Sequence, residues 1–377
     1  MNTVKLLHCA DIHIGAAESF LGDKAELRRN ETLLTFERIV EICRGNNVQI
    51  LAIAGDLFDS NNIEPRFIEA VLEKIGTIPE IKVVFAAGNH DPLNPMSPFL
   101  KYKLPKNLYV LDIKDSVITF DDLKLKVYGR SFETAFLEGE NSFSFLPSDN
   151  DYINLLVQHG ELKSDLNSKY NAITREFILS SKMDYIALGH IHKKTDIGKL
   201  GDTYFAYCGC PEGQGFDELD EKGVFLGEIG KNYCNLEFVS TAKRRHIHEK
   251  IDISNTTETE IAPKILDTLF RNYGDDFNQN LYKIELIGDI SPETNINLTE
   301  ITARIADRVY FVKVKNNTHL TLNLNTLTEE KSLRGIFVKK MLKKIEMADE
   351  SQKEKYQNAL ELGLKAFITE VKFDENQ

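Results

Sequence analysis

Short apolar runs alternate with longer amphipathic stretches through the first hundred residues of the chain. Leu6-Leu7-His8-Cys9-Ala10, Ile50-Leu51-Ala52-Ile53-Ala54 and Val83-Val84-Phe85-Ala86-Ala87 are continuous rather than alternating, the pattern of strands buried on both faces. Between them, residues 26–43 carry Leu33, Phe36, Val40 and Cys43 at helical spacing, and residues 64–76 carry Ile68, Val71, Leu72 and Ile75 in the same way. The order predicts a βαβαβ unit. Right-handed crossovers would make its strands parallel and put all their carboxyl ends on one edge.

From residue 107 the texture changes. Runs at 108–111, 117–120 and 123–128, with Asp121-Asp122 as a hairpin turn, predict a second, largely antiparallel sheet. Residues 131–150, rich in Ser, Glu and Gly, read as a surface loop. Strands resume at Ile153, Tyr185, Tyr204 and Val224 and close at 235–239, so a first domain spans 1–242. After the basic junction Lys243-Arg244-Arg245, residues 246–325 repeat a smaller αβ pattern: strands at 247–253, 282–287, 309–314 and 320–324, helices at 257–272 and 298–307. The tail, 328–377, predicts two helices. The first opens at Thr328 as N-cap and carries Leu333, Phe337, Met341 and Ile345; the second, at 353–369, carries Tyr356, Leu360, Leu364 and Ile368.

The net charge of −12 over 377 residues argues against a chain that coats nucleic acid by bulk electrostatics. It does not exclude a nucleic acid held locally, because Asp residues that hold cations count as negative only in the sequence. Cys9, Cys43, Cys208, Cys210 and Cys234 lack disulfide-framework spacing and fit a reducing cytoplasm. Cys208-Gly209-Cys210 has no matching Cys or His pair and reads as buried small residues. No export signal opens the sequence and no apolar run reaches the ~20 residues that span a bilayer, so a cytoplasmic chain with no membrane partner is expected.

Five strand-like runs end in metal-binding types: Asp11-Ile12-His13, Gly55-Asp56-Leu57-Phe58-Asp59, Gly88-Asn89-His90-Asp91, His159-Gly160 and Gly189-His190-Ile191-His192. Each alone is an ordinary loop. Together they place seven Asp, Asn and His donors at one edge, a set without sulfur that suits borderline or hard dications. Seven groups suit two ions, which need a bridging carboxylate. Asp56 is the expected bridge, with Asp11, His13 and His192 completing one ion and Asn89, His159 and His190 the other.

This motif series resembles that of the calcineurin-like metallophosphoesterases, over roughly residues 4–240. The resemblance implies a two-layer β-sandwich flanked by helices, an α/β fold, with a dinuclear centre that hydrolyses phosphoesters. It further implies that His90 is not a ligand but stabilises the transition state or protonates the leaving oxygen, with Asp59 orienting its ring.

Within that superfamily, residues 8–15, 54–59, 87–91, 185–192 and Tyr207-Cys208-Gly209-Cys210-Pro211 resemble the SbcD-like DNA repair exonuclease subunits, including the YhaO type. That resemblance implies a small αβ capping domain at 246–325 and a helical tail that docks on an ABC-type ATPase with a long coiled coil. The cofactors expected are two divalent ions, Mn²⁺ first, with Fe²⁺, Mg²⁺ and Zn²⁺ as alternatives. The expected partners are DNA, the ATPase and a second copy of the chain; the sequence names no DNA-binding residues. Two other classes compete: a phosphoesterase for a small nucleotide or phosphoprotein, which needs only the first domain, and a non-catalytic subunit, which the intact donor set disfavours.

Overall fold

In the computed structural model, which describes residues 2–114, 116–137, 150–291, 294–320 and 324–367, the βαβαβ run forms as its pattern predicts. β1 (Thr3–Cys9), α1 (Ala25–Gly45), β2 (Ile50–Ile53), α2 (Pro65–Gly76) and β3 (Lys82–Phe85) follow in order. β1 pairs parallel with β2, and β2 with β3. Pro65 opens α2 in its first turn, where a missing N–H costs nothing. After the single-turn α3 (Pro98–Lys101), β4 (Leu108–Val110) adds in parallel to β3.

The second sheet departs from the antiparallel expectation. β5 (Ser116–Phe120) and β6 (Leu125–Gly129) do form the hairpin, but β6 then pairs parallel with β7 (Ile153–His159). A side pair, β8 (Glu161–Lys163) and β9 (Ala172–Thr174), leads into α4 (Arg175–Ser181), a helix the apolar pattern does not announce. β10 (Tyr185–Gly189) is parallel to β7, and β12 (Thr203–Tyr207) to β10; β11 (Gly198–Leu200) is an antiparallel edge. Among the described residues, only the β5–β6 hairpin and the β11–β12 edge pair of this sheet are antiparallel. The continuous burial of β7 and β10 is the mark of parallel strands covered on both faces. β4, grouped with the hairpin by its texture, belongs to the first sheet. β13 (Gly223–Gly230), antiparallel to β1, and β14 (Tyr233–Ser240), antiparallel to β13, complete that sheet.

Three apolar layers hold this unit together. Between the sheets, Leu6, Ile50, Ala52 and Val84 meet Val127, Leu155, Tyr185 and Ala187. On the outer face of the first sheet, Leu7, Leu51 and Val83 bury Phe36, Val40, Phe67 and Val71 of α1 and α2. Leu156, Ile186 and Leu188 of the second sheet cover Ile173 and Ile178. The product is a two-layer β-sandwich flanked by helices, with the carboxyl ends of β1, β2, β3, β7 and β10 carrying the predicted donors.

The chain divides into two units, 1–246 and 247–377. The second contains the sheet of β15 (His246–Asp252, whose first residue belongs to the first unit), β16 (Leu281–Ile287) and β18 (Phe311–Asn316), with a small pair β17 (Asp289–Ile290) and β19 (His319–Leu320). α5 (Glu258–Tyr273), opened by a Thr257/Glu260 capping box, and α6 (Leu298–Ala306) cover it through Ile261, Ile265, Leu269 and Ile301. The predicted strand at 320–324 is not formed as read: Leu320 ends β19, Leu324 begins α7 (Leu324–Glu329), and 321–323 lie outside the described residues. Thr328 is within α7 and not an N-cap. Ser332 caps α8 (Leu333–Met347) by accepting the Gly335 N–H at 3.1 Å, and α9 (Glu350–Ala366) follows. Tyr356, Leu360 and Leu364 of α9 pack on Phe337, Val338 and Met341 of α8, so this stripe is used inside the helix pair itself; Ile368 lies outside the described residues. Among the described residues no helix is long and apolar enough to cross a membrane.

Candidate metal centre

Beyond β1 and β2 the backbones stay zipped. Asp11 N–H donates to the Gly55 carbonyl, His13 N–H to that of Asp56 and Ile14 N–H to that of Leu57, at 2.9–3.0 Å. Holding this turn requires left-handed backbone at Asp11 (φ 52°), His13 (φ 49°) and Asp56 (φ 51°), and His190 adopts φ 101° on the second sheet. Such conformations at non-glycine residues cost about 1–3 kcal/mol each and gather where function fixes the backbone. Two glycines permit the close approach. A Cβ on Gly55 (φ 92°) would enter the His159 ring, and one on Gly189 would strike the Ala54 carbonyl, where the two sheets meet beneath the site.

All seven predicted donors converge. Asp11, His13 and His192 present ligand atoms within 4.8 Å of one another, and so do Asp11, Asp56 and His159. Asn89 Oδ1 lies 2.9 Å from His159 Nε2 and 3.1 Å from His190 Nδ1. Asp56 stands between the two groups, its Oδ2 3.3 Å from His159 Nε2 and 3.8 Å from His13 Nε2. Asp11, His13, Asp56 and His159 are buried.

The donor chemistry fits dications. His159 Nδ1 is 2.9 Å from the Ala54 carbonyl, which can only accept, so Nδ1 carries a proton and Nε2 is left to face Asn89 Oδ1. His192 Nδ1 donates to Glu218 at 2.6 Å, which leaves its Nε2 3.1 Å from His13 Nε2. Facing lone pairs at such distances repel unless a proton or cation lies between them. Burial opposes charge on His159, yet Asp56 and Asp11 outweigh it and hold the ring up to about 9. Burial likewise opposes the charge on Asp56, but His159 and His13 hold its carboxyl well below the usual range.

His90 stands at the rim, 44% exposed, with its ring edge-on to His13 at 4.6 Å. Its Nδ1 donates to the Asp59 backbone carbonyl at 3.0 Å, so Nε2 is the free end. The Asp59 carboxylate lies nearer His13 Nδ1, at 3.3 Å, than His90 Nδ1, at 3.8 Å. The main chain of Asp59 therefore makes the closer contact with His90, and its side chain is shared.

Three further residues escaped sequence reasoning. Asp91 ends a quoted motif, but only the structure shows its role: it accepts the backbone N–H groups of Asp56, Leu57, Phe58 and Gly88 at 2.7–3.2 Å, fastening the β2 and β3 loops together. Burial and the neighbouring Asp56 charge push its carboxyl up to about 7. Glu161 lies 3.5 Å from His190 Nε2, and Glu218 binds His192. Neither sits at a spacing that marks it. Cys208 and Cys210 are buried, as expected, with Cys210 donating to Glu218 at 3.2 Å. In the basic junction, Lys243 and Arg244 both pair with buried Glu31, at 3.0 and 2.6 Å. His246 is buried and His248 lies 3.0 Å from Glu285.

A sandwich whose parallel strand ends gather Asp, Asn and His donors in this order defines a class. The chain matches the calcineurin-like phosphoesterase family over residues 4–194 and belongs to that family. It is similar to the DNA double-strand break repair protein Mre11 of Methanopyrus kandleri, 26% identical over 268 residues, which are 65% of this chain and 58% of that protein. It is also similar to the uncharacterized metallophosphoesterase YhaO of Bacillus subtilis, 24% identical over 250 residues, 63% of this chain and 60% of that one. The chain thus spans 58–60% of the length of these two relatives. The likeness to Mre11 of Sulfolobus acidocaldarius, 21% identical over 374 residues, covers 93% of each chain.

Proposed function

We propose that the chain is a dinuclear-metal phosphodiesterase acting on DNA ends, the nuclease subunit of a DNA repair complex. The observation that carries this reading is the convergence of seven donors around Asp56, reached from five separate strand ends. Asp11, His13 and His192 would hold one ion, Asn89, His159 and His190 the other, and Asp56 both. Two bound divalent ions would supply Lewis acidity to phosphate oxygens and make an attacking water more acidic. Mn²⁺ is the first choice, since nitrogen and oxygen donors without sulfur suit it.

The rest falls to protein groups. His90, anchored through Nδ1 to the Asp59 carbonyl, keeps Nε2 out of that bond, and Nε2 would stabilise an in-line transition state or protonate the leaving oxygen. Left-handed backbone at Asp11, His13 and Asp56 fixes the donors in advance. The DNA substrate class rests on the likeness to the Mre11 proteins named above.

Residues 246–325 then act as a capping domain and 328–377 as a docking tail for a coiled-coil ATPase. The α8–α9 pair leaves Leu333, Ile336, Met347 and Leu362 exposed, although its inner stripe is already buried. The decisive assay is Mn²⁺-dependent digestion of end-labelled duplex and single-stranded DNA, beside a small phosphodiester and a phosphomonoester. DNA and diester cleavage without monoesterase activity is expected. Monoesterase activity alone would favour a small-molecule phosphatase, and no activity on any substrate a non-catalytic subunit.

A further inference from the structure

Glu218 lies on the loop between β12 and β13, outside every strand-end motif, and its carboxylate is fully committed. Oε1 accepts the His192 Nδ1–H at 2.6 Å. Oε2 accepts the Cys210 thiol at 3.2 Å and the Gln214 backbone N–H at 3.1 Å, and lies 3.5 Å from the Lys222 ammonium. Lys222, only 5% exposed, also donates to the His192 carbonyl at 3.0 Å. One carboxylate and one ammonium thus fix both the ring and the backbone of the same histidine.

We propose that Glu218 is the positioning residue for His192, holding its imidazole as the Nδ1–H tautomer so that Nε2 is presented to the metal centre. His192, Cys210 and Glu218 also lie close enough to be taken for a separate soft-metal site. Distance decides against that. Nitrogen and oxygen ligands each stand about 2.0–2.2 Å from a zinc-sized ion, which puts them roughly 3 Å or more apart, and 2.6 Å leaves room only for a proton. Carboxylates that accept the remote N–H of a ligating histidine set its tautomer and basicity, and removing one weakens metal affinity about 10–100-fold.

The inference rests on His192 being a ligand, and the experiment separates the two. Apo protein is titrated calorimetrically with Mn²⁺, and the His192 ring nitrogens are followed by ¹⁵N NMR. Glu218→Ala should weaken one of two Mn²⁺ ions about 10–100-fold, leave the other unchanged and shift the His192 ring resonances away from the Nδ1–H form. Glu221→Ala, on the same loop, should bind both ions as the parent does. Parent affinities in Glu218→Ala, or an equal loss in Glu221→Ala, would overturn the proposal. If Glu218→Ala fails to fold, Glu218→Gln carries the test, with about a tenfold loss and altered ring resonances expected and parent values for both overturning it. Should His192→Ala keep both ions, the ligand assignment itself falls; should it lose one while the Glu218 variants bind normally, only the positioning role falls.

Discussion

Asp56 accepts the His90 backbone N–H at 2.8 Å while facing histidines of both donor groups, at closer range than Asp11 does. Asp56→Ala is expected to cut Mn²⁺ stoichiometry below two and to abolish hydrolysis, and metal analysis of the folded variant checks this. His90 differs because it is 44% exposed, although one of its ring nitrogens lies within 4.8 Å of ligand atoms of His13 and Asp56. His90→Gln should keep both ions and the parent unfolding midpoint yet lose roughly 10² or more in kcat. Loss of metal would make it a ligand. Asp59 can be tested against its two neighbours. If its carboxylate serves His13, the nearer of the two, Asp59→Ala weakens Mn²⁺ binding; if it serves His90, kcat falls at saturating Mn²⁺. The distances favour the first outcome.

Among the elements, the site depends on how two loops and two sheets are joined. Asp91 supplies the joint between the β2 and β3 loops, and removing its carboxylate strands four backbone donors in a dry environment. Each unsatisfied buried group costs about 1–3 kcal/mol, so Asp91→Ala should lower the denaturation midpoint sharply, with lost Mn²⁺ affinity as a consequence. The joint between sheets is Gly189 against Ala54 and Ala10. Overpacking there costs about 1–3 kcal/mol or more, and Gly189→Ala should show that loss by urea titration. The five motifs around these joints were legible because each follows an apolar run that β-structure must bury. The parallel course of the second sheet was not, because strand direction depends on crossovers and partners rather than on local alternation.

For the whole molecule, binding of ions to the native state alone links function to stability. With Mn²⁺ at a hundredfold excess over Kd, each occupied site adds about 2.7 kcal/mol, and the rise in unfolding midpoint should shrink in Asp56→Ala. The three helices α7–α9 have their own small core, built from Leu327, Val338, Met341, Leu360 and Leu364. Ending the chain near Asn325 is therefore expected to leave a folded, Mn²⁺-binding protein that cleaves a small phosphodiester at the parent rate but no longer co-purifies with an ATPase partner. Retained partner binding would remove the docking role. Sequence alone determined the donor types, their order and the strands that carry them, since apolar periodicity and glycine placement are local properties of the chain. Tertiary structure alone decided that Lys243 and Arg244 neutralise buried Glu31, that Asp91 binds two loops and that Glu218 reaches His192 from 26 positions away. These are polar pairings between distant segments, made where burial forces each charge to find a partner, and no spacing along the chain records them.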